Sequence, residues 1–497
     1  MAIPTTQKVP LFWAQMNYDG ASAPTTSGPT LLMGTLLSGG TGSANSPSQV
    51  FSAAEVAGLF GRGSQIHRVA IAYFANDRTA GEVWAIALAE STTAAGGTVT
   101  FTGTATEAGA IYLEIGGVVL NIPVAVGDTH LVVGAALDLA LPAHGVTPND
   151  YQVSGVDTAG AVVMTAKYKG ETGNGISLNL NPLGTAGRQT VPAGLTAAIT
   201  DPMGDTTEGA GNPVLTTAIA AVAGMDFDFI FEPWTDTVSR AALKTMMSDA
   251  NGRWSYQQAE FGHVWSSRFG TPAELLDVEP NDQHYLMLGL EGVNSTGVSM
   301  IASVPNLVEE VGAAYMGRCA ESLRNDPAQP CQTLELLDDV TGLIAFRAPD
   351  KADRMTMEER NTLLSDGVAT ASYTSQSGIL VERAMTSYTE DSFGNGTELD
   401  VQPLYISMFV LRTWKAAVET DFGRSKILEN TTNEIAALLV AKYDEMAELG
   451  LVTDVEGFAA SLSVTVNSVD QNRIDVAAAP VYAAQLRIVA LQNNFKL

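Results

Sequence analysis

The feature that most constrains this fold is an interruption. From about residue 91 to residue 200 the chain is dominated by Thr, Gly, Val and Ala and carries few charges. Short runs at 98–104, 111–115, 118–122, 151–156 and 161–167 read as strands, and 129–141 as a single helix. On either side the rhythm differs. Helix and strand alternate at 30–37, 51–59, 65–76 and 82–88, and again at 227–231, 237–250, 261–265, 284–290 and 305–323. That alternation argues for a partly parallel sheet covered by helices. A β-rich unit is therefore expected as an insert within a larger α/β unit, and 497 residues are too many for one core.

The expected fold class is α/β and α+β multidomain. Residues 26–90 with 201–350 form a discontinuous α/β domain, and 91–200 an inserted β-rich outer domain. Residues 351–480 form a C-terminal α+β core, flanked by arms at 1–25 and 481–497. The C-terminal core is read around 356–388. Thr356 and Glu359 make a capping box, Gly367 a left-handed stop, and 369–373 and 379–388 a hairpin around Ser375-Gln376-Ser377-Gly378. Its strand edges are expected to be open to pairing. Two helices follow, at 403–422 and from Thr431-Thr432-Asn433-Glu434, the latter read as a second capping box ending at Gly450. A strand is expected at 462–469.

Both termini contain apolar side chains that lack the surroundings to bury themselves. Val9, Leu11, Phe12 and Trp13 sit among Pro, Thr and Ser. Near the end, Leu486, Ile488 and Ala490 alternate with Arg487, Val489 and Leu491, and Gln485, Phe495 and Leu497 frame them. Such a segment reads as a strand with two usable faces. These ten arm positions are expected to act between subunits: Val9, Leu11, Phe12, Trp13, Gln485, Leu486, Arg487, Ile488, Phe495 and Leu497.

Charge and chemistry exclude more than they assign. A net charge of −28 disfavours sequence-independent binding to nucleic acid or an anionic membrane, since both need clustered Lys and Arg. The N-terminus lacks a basic head before a long apolar run, and no apolar stretch approaches the roughly 20 residues a spanning helix needs. Two cysteines, Cys319 and Cys331, are too few for a disulfide framework or a zinc site, and read as reduced thiols. The five histidines are scattered, and no Walker loop, dinucleotide fingerprint or nucleophile elbow occurs. No catalytic, cofactor or metal residue is nominated. Asp338-Asp339 reads as a solvated turn and Glu358-Glu359 as the first turn of a helix.

Weak pieces spread in order along the chain resemble one family. Near the start are Val9-Pro10-Leu11, Leu59-Phe60-Gly61-Arg62-Gly63-Ser64 and Glu82-Val83-Trp84-Ala85. The insert carries Thr165-Ala166-Lys167-Tyr168-Lys169-Gly170-Glu171-Thr172-Gly173-Asn174. Toward the end come Phe422-Gly423-Arg424-Ser425-Lys426, Asp470-Gln471-Asn472-Arg473-Ile474-Asp475-Val476, Gln485-Leu486-Arg487 and Phe495-Lys496-Leu497. Together they resemble the tail sheath proteins of contractile-tailed bacteriophages, most closely the Mu-like ones. The resemblance implies a non-enzymatic virion subunit, assembled in the host cytoplasm into stacked hexameric rings around a tail tube, that shortens to drive the tube through the host envelope. It implies partners in other sheath copies, the tube, the baseplate and the tail terminator, and needs no cofactor. It also places the C-terminal part toward the tube, with Arg412, Lys415, Arg424 and Lys426 as tube-contact candidates. A tube or capsid component and an enzyme remain the alternatives.

Overall fold

The computed structural model describes residues 28–141, 151–276, 282–294, 300–302, 304–337, 346–374, 378–391, 393 and 399–493. The chain opens with β1 (Thr30–Thr35), β2 (Ser48–Gln49), α1 (Ala53–Phe60), α2 (Gln65–Asn76) and β3 (Val83–Leu88). It continues through β4 (Gly96–Gly103), β5 (Gly109–Ile115), β6 (Val118–Val124), α3 (His130–Ala140), β7 (Val153–Thr158), β8 (Ala161–Ala166), β9 (Leu178–Leu180) and β10 (Leu195–Asp201). The helix–strand rhythm resumes with α4 (Thr216–Ala221), β11 (Phe229–Phe231), α5 (Thr237–Met247), β12 (His263–Gly270) and α6 (Pro272–Leu275). Next are β13 (Tyr285–Asn294), β14 (Met300–Ala302), α7 (Val308–Asn325), α8 (Met357–Ser365), β15 (Thr370–Tyr373) and β16 (Ile379–Arg383). The last elements are α9 (Val401–Phe422), α10 (Thr431–Glu448), β17 (Val452–Thr453), α11 (Val455–Ser461), β18 (Ser463–Val466), β19 (Ile474–Ala477) and β20 (Val481–Tyr482).

A seven-stranded sheet in the order β14-β13-β12-β11-β1-β3-β2 forms the centre. Its five middle strands are parallel; β2 and β14 close the edges antiparallel. Such strands are buried on both faces, which is why they read as nearly continuous apolar runs. Leu32, Ala85, Phe229, Phe231, Trp265 and Leu288 pack with α2 and α7, while Leu31, Met33, Ile86, Ile230, Val264 and Met287 pack with α4, α5 and α8. Helix α7 approaches closely because residue 312 is glycine: a Cβ there would lie 2.1 Å from Ser267 Oγ. At the end of β11, Glu232 is fully buried and accepts from Trp234 N (2.7 Å) and Tyr285 Oη (3.1 Å). Burial pushes its carboxyl up to about 8.

Between β3 and α4, a four-stranded sheet (β10-β4-β8-β7) and a three-stranded one (β6-β5-β9) share a core with α3. Leu37 and Leu307, which flank the central sheet, belong to that same core. A buried polar chain joins the two bodies. Arg68 Nε on α2 meets Glu310 Oε1 on α7 at 2.5 Å, and Tyr168 donates to Glu309 Oε1 at 2.7 Å. Gln65 donates to Thr172 Oγ1 at 3.0 Å and accepts from Thr35 N at 3.0 Å.

The structure departs from the sequence reading in the C-terminal third. The capping box forms as expected, Thr356 Oγ1 accepting from Glu359 N (3.2 Å) and Glu359 Oε2 from Thr356 N (2.7 Å). Yet α8 and the β15–β16 hairpin do not centre a C-terminal core. Ala369, Ala371, Ile379 and Val381 pack into the core of the central sheet, and Leu363 into its opposite face. Nor is the hairpin open-edged. Residue 369 bridges β13, and 333–336 pairs with β16 through Thr333 N to Val381 O (2.7 Å) and Leu336 N to Ile379 O (2.9 Å). A two-stranded hairpin is marginal alone, so joining the larger sheet stabilises it. The second capping box is also absent. Helix α10 starts one residue earlier, after Asn430, because the Thr431 hydroxyl is taken by Leu428 N (2.8 Å) and Lys426 O (3.2 Å). Residues 375–377 and Asp338-Asp339 lie outside the described residues.

Candidate assembly interface

The C-terminal body begins halfway along α9. Ile406 and Val410 pack with Tyr443 and Met446 of α10, Leu451, Val452 and Phe458. The Tyr443 and Phe458 rings stack with centroids 3.8 Å apart. The Tyr443 hydroxyl accepts from Val481 N (2.9 Å) and donates to Thr453 O (2.8 Å), clipping β20 beside β17. Helix α9 is itself fastened to the central sheet. Arg412 makes two hydrogen bonds to the buried Asp228, at 2.9 and 2.7 Å, and Tyr405 Oη lies 3.3 Å from the same carboxylate. Burial alone would pull the Arg412 guanidinium down; the Asp228 hydrogen bonds and charge outweigh it and hold it above its ordinary value.

Beyond β20 the chain is pinned at its root and bare afterwards. Ala483 N bonds Leu451 O (3.0 Å), Gln332 Nε2 donates to Leu486 O (3.2 Å), and Arg487 pairs with Asp400. Asp400 is buried and also takes Arg383 Nε at 2.7 Å. Leu486, Ile488, Val489 and Leu491 are 70–89% exposed and belong to no sheet. Gln485 is half-buried. At the other end, Arg324 grips the first described residue, donating to Gly28 O at 2.7 and 3.1 Å while pairing with Asp77. Val9, Leu11, Phe12, Trp13, Phe495 and Leu497 lie outside the described residues.

One element has unpaired edges among the described residues. Strands β18 and β19 form a two-stranded hairpin, register Val464↔Val476, that leans on α10 and pairs with nothing else among the described residues. Asn467 Nδ2 (2.6 Å) and Arg473 Nε (2.6 Å) donate to the Asp475 carboxylate across its turn and hold it below its ordinary value. Lys415, Arg424 and Lys426 are exposed along α9 and just past it. Arg412 is not grouped with them; its charge is spent on Asp228.

A family model described as "Phage tail sheath protein central domain" matches residues 208–387. Over 514 aligned positions, covering 100% of this chain and 99% of the relative, the protein is 30% identical to the Mu-like prophage FluMu tail sheath protein of Haemophilus influenzae. The chain belongs to the phage tail sheath family. Similar solved structures include the sheath tail protein of Desulfitobacterium hafniense, with 12% identity and TM-score 0.48, covering 95% of this chain and 100% of that one. Another is the helical sheath of the anti-feeding prophage in its contracted state, with 10% identity and TM-score 0.47, covering 99% and 100%.

In this sheath protein three of the motifs that carry the resemblance fall on joints. The stretch from Thr165 to Asn174 supplies Tyr168 and Thr172, which tie the inserted strands to α2 and α7. Asp470 to Val476 spans the β18–β19 turn, and Gln485 to Arg487 the root of the tail. Sequence reading missed the β18–β19 hairpin as a pair, Asp228 as the partner of Arg412, and Asp400 as the partner of Arg487. Asp470-Gln471-Asn472 between two β-branched runs was the available signal for the hairpin. Among the described residues no helix is long and apolar enough to cross a membrane.

Proposed function

We propose that this sheath protein polymerises as stacked hexameric rings around a tail tube, and that the sleeve shortens to drive the tube through the host envelope for genome delivery. Assembly would take place in the host cytoplasm, with baseplate and tail terminator at the sleeve's two ends. Such a machine runs on a change of subunit packing and needs no catalytic site; two packings of differing free energy suffice. The observations that carry the reading are a tail pinned at its root and bare at its tip, and a hairpin, β18–β19, whose outer edges are unpaired among the described residues. An extended segment adds to an open sheet edge through main-chain hydrogen bonds, and those bonds survive while the linker bends.

The receptor we propose is β18–β19 of a neighbouring copy, in place of the occupied β15–β16 hairpin. About 14 residues after Ala483 would span on the order of 45 Å at ~3.3 Å per residue, enough to reach an adjacent subunit. The 1–25 segment is proposed as a second arm, entering its own subunit at the Arg324 clamp on Gly28. The inserted strands would face outward, and Lys415, Arg424 and Lys426 would meet tube carboxylates.

The test is removal of residues 484–497, a cut that spares the β17–β20 clip and the Ala483 bond. The truncated chain should melt close to the full-length one and form no cylinders in negative-stain micrographs. Full-length cylinders from the truncated chain would overturn the arm reading.

A further inference from the structure

We propose that the connection from α5 to β12, residues 248–262, is an acid-released strap, held at the amino ends of β12 and β13 by Trp254 packed on two buried histidines. His263 opens β12, and His284 stands immediately before β13. The Trp254 ring stacks on His284 with centroids 4.5 Å apart and 26° between planes, and meets His263 edge-on at 5.5 Å. Phe261 completes the group, its centroid 5.0 Å from that of Trp254. Polar atoms of the strap pin it at the same place. Trp254 Nε1 donates to Gly262 O (2.8 Å), and Arg253 donates to Met225 O (2.8 Å) and Glu260 O (3.1 Å). Between these pins the strap meets solvent, with Tyr256 87% exposed.

The packing leaves little room for a charged imidazole. His263 is 1% exposed and His284 4%. His263 Nε2 and His284 Nδ1 are buried without a hydrogen-bond partner among the described residues. A histidinium donates from both nitrogens, so a proton added to His263 would leave a buried donor with no acceptor. The charges facing the pair are unevenly divided. Beyond the end of α5, Asp249 Oδ1 lies 3.1 Å from His284 Nε2, and Asp282 takes the His284 backbone N–H at 2.9 Å. On the His263 side, the Asp228 carboxylate is committed to Arg412 of α9, and Arg253 pairs with Glu260 at 3.1 Å. Burial, and then the His284 ring with its centroid 6.3 Å away, hold His263 well below its ordinary value. Burial lowers His284 too, against the opposing pull of Asp249 and Asp282.

Opening of the strap frees both rings to regain their ordinary value near 6.5. Below that pH the open strap takes up protons that the closed one refuses. Closure is therefore full above about pH 6.5 and is lost progressively as pH falls. One imidazole that stays neutral when closed and titrates freely when open raises the opening equilibrium roughly 30-fold at pH 5. His284, already facing two carboxylates, adds less. A surface connection can open in this way without global unfolding. The effect reaches the C-terminal body through Phe261, whose ring centroid lies 5.9 Å from the Arg412 guanidinium that fastens α9.

The test uses the full-length chain before any assembly and so does not depend on the sheath reading. Hydrogen exchange is compared at pH 7.5 and pH 5.0, with intrinsic rates corrected for pH. Opening of 248–262 should rise about 10–30-fold at the lower pH, while the amides of β4–β6 keep their protection. His263→Gln should flatten that rise, and His284→Gln should leave most of it. Exchange of the imidazole C2 hydrogens in the parent chain reads each histidine directly, so a poorly folded variant leaves the question decidable. The His263 midpoint should lie below that of His284, and both below about 6.5. Equal strap protection at the two pH values, a rise that survives His263→Gln, or a His263 midpoint at its ordinary value would each overturn the proposal.

Discussion

Arg412 offers the sharpest separation between a tube contact and an internal fastening. Its guanidinium is 32% exposed, whereas the Asp228 side chain is 0% exposed and takes both hydrogen bonds. Arg412→Ala leaves that carboxylate buried with, among the described residues, the Tyr405 hydroxyl at 3.3 Å as its remaining side-chain hydrogen bond. Removing one partner of a buried pair costs about 3–5 kcal/mol, mostly as the uncompensated charge. Water reaching a third of the guanidinium argues for the lower end, about 3 kcal/mol, or on the order of 100-fold in a local opening equilibrium. Hydrogen exchange of the α9 amides around Tyr405 to Arg412 should speed up by that factor, with smaller change in the inserted strands. Adding Asp228→Asn removes the stranded charge, so the double variant should recover more than half of the loss. By contrast, Arg424→Glu with Lys426→Glu should leave exchange untouched and weaken attachment to tubes. If Arg412→Ala exchanges like the parent protein yet releases the tube, Arg412 acts on the tube and the fastening argument is wrong.

Other consequences can be checked with single variants. Glu232 is raised from its ordinary value to about 8, so the folded chain holds a proton that the unfolded chain has lost between about pH 4.5 and 8. Stability from this group is therefore full below that window and falls as pH rises through it. Glu232→Gln should flatten the fall of melting temperature between pH 5 and 8, and a slope identical to the parent's would refute the assignment. Tyr168→Phe removes the hydrogen bond that reaches the buried Glu309 side chain from the inserted segment. A loss of about 1–3 kcal/mol is expected, with faster proteolysis between residues 91 and 200; unchanged cleavage would show that the joint does not depend on it.

What the sequence alone determined was decided within a few residues of chain. Thr356 with Glu359 caps α8 because both partners lie within one helical turn, and Gly367 and Gly450 end helices at φ 77°, where a side chain is strained. The alternation of helix and strand around Thr30 and Phe229 announced a partly parallel sheet covered by helices. The exposed alternation after Gln485 likewise came from composition and local context. Tertiary structure decided everything that needed a distant partner. Nothing near Arg412 reveals Asp228, 184 positions away, and nothing near Tyr168 reveals Glu309, 141 away. The same holds for the hairpin edge. Residues 379–383 have the pattern of an open strand, and only the folded chain brings 333–336 alongside to fill it. Thr431 shows that even a local motif yields: its hydroxyl could cap a helix at Glu434, but the turn from Lys426 to Leu428 reached it first. Periodicity and capping are settled by neighbours in sequence. Edge occupancy and charge pairing are settled by neighbours in space, which long-range packing alone selects.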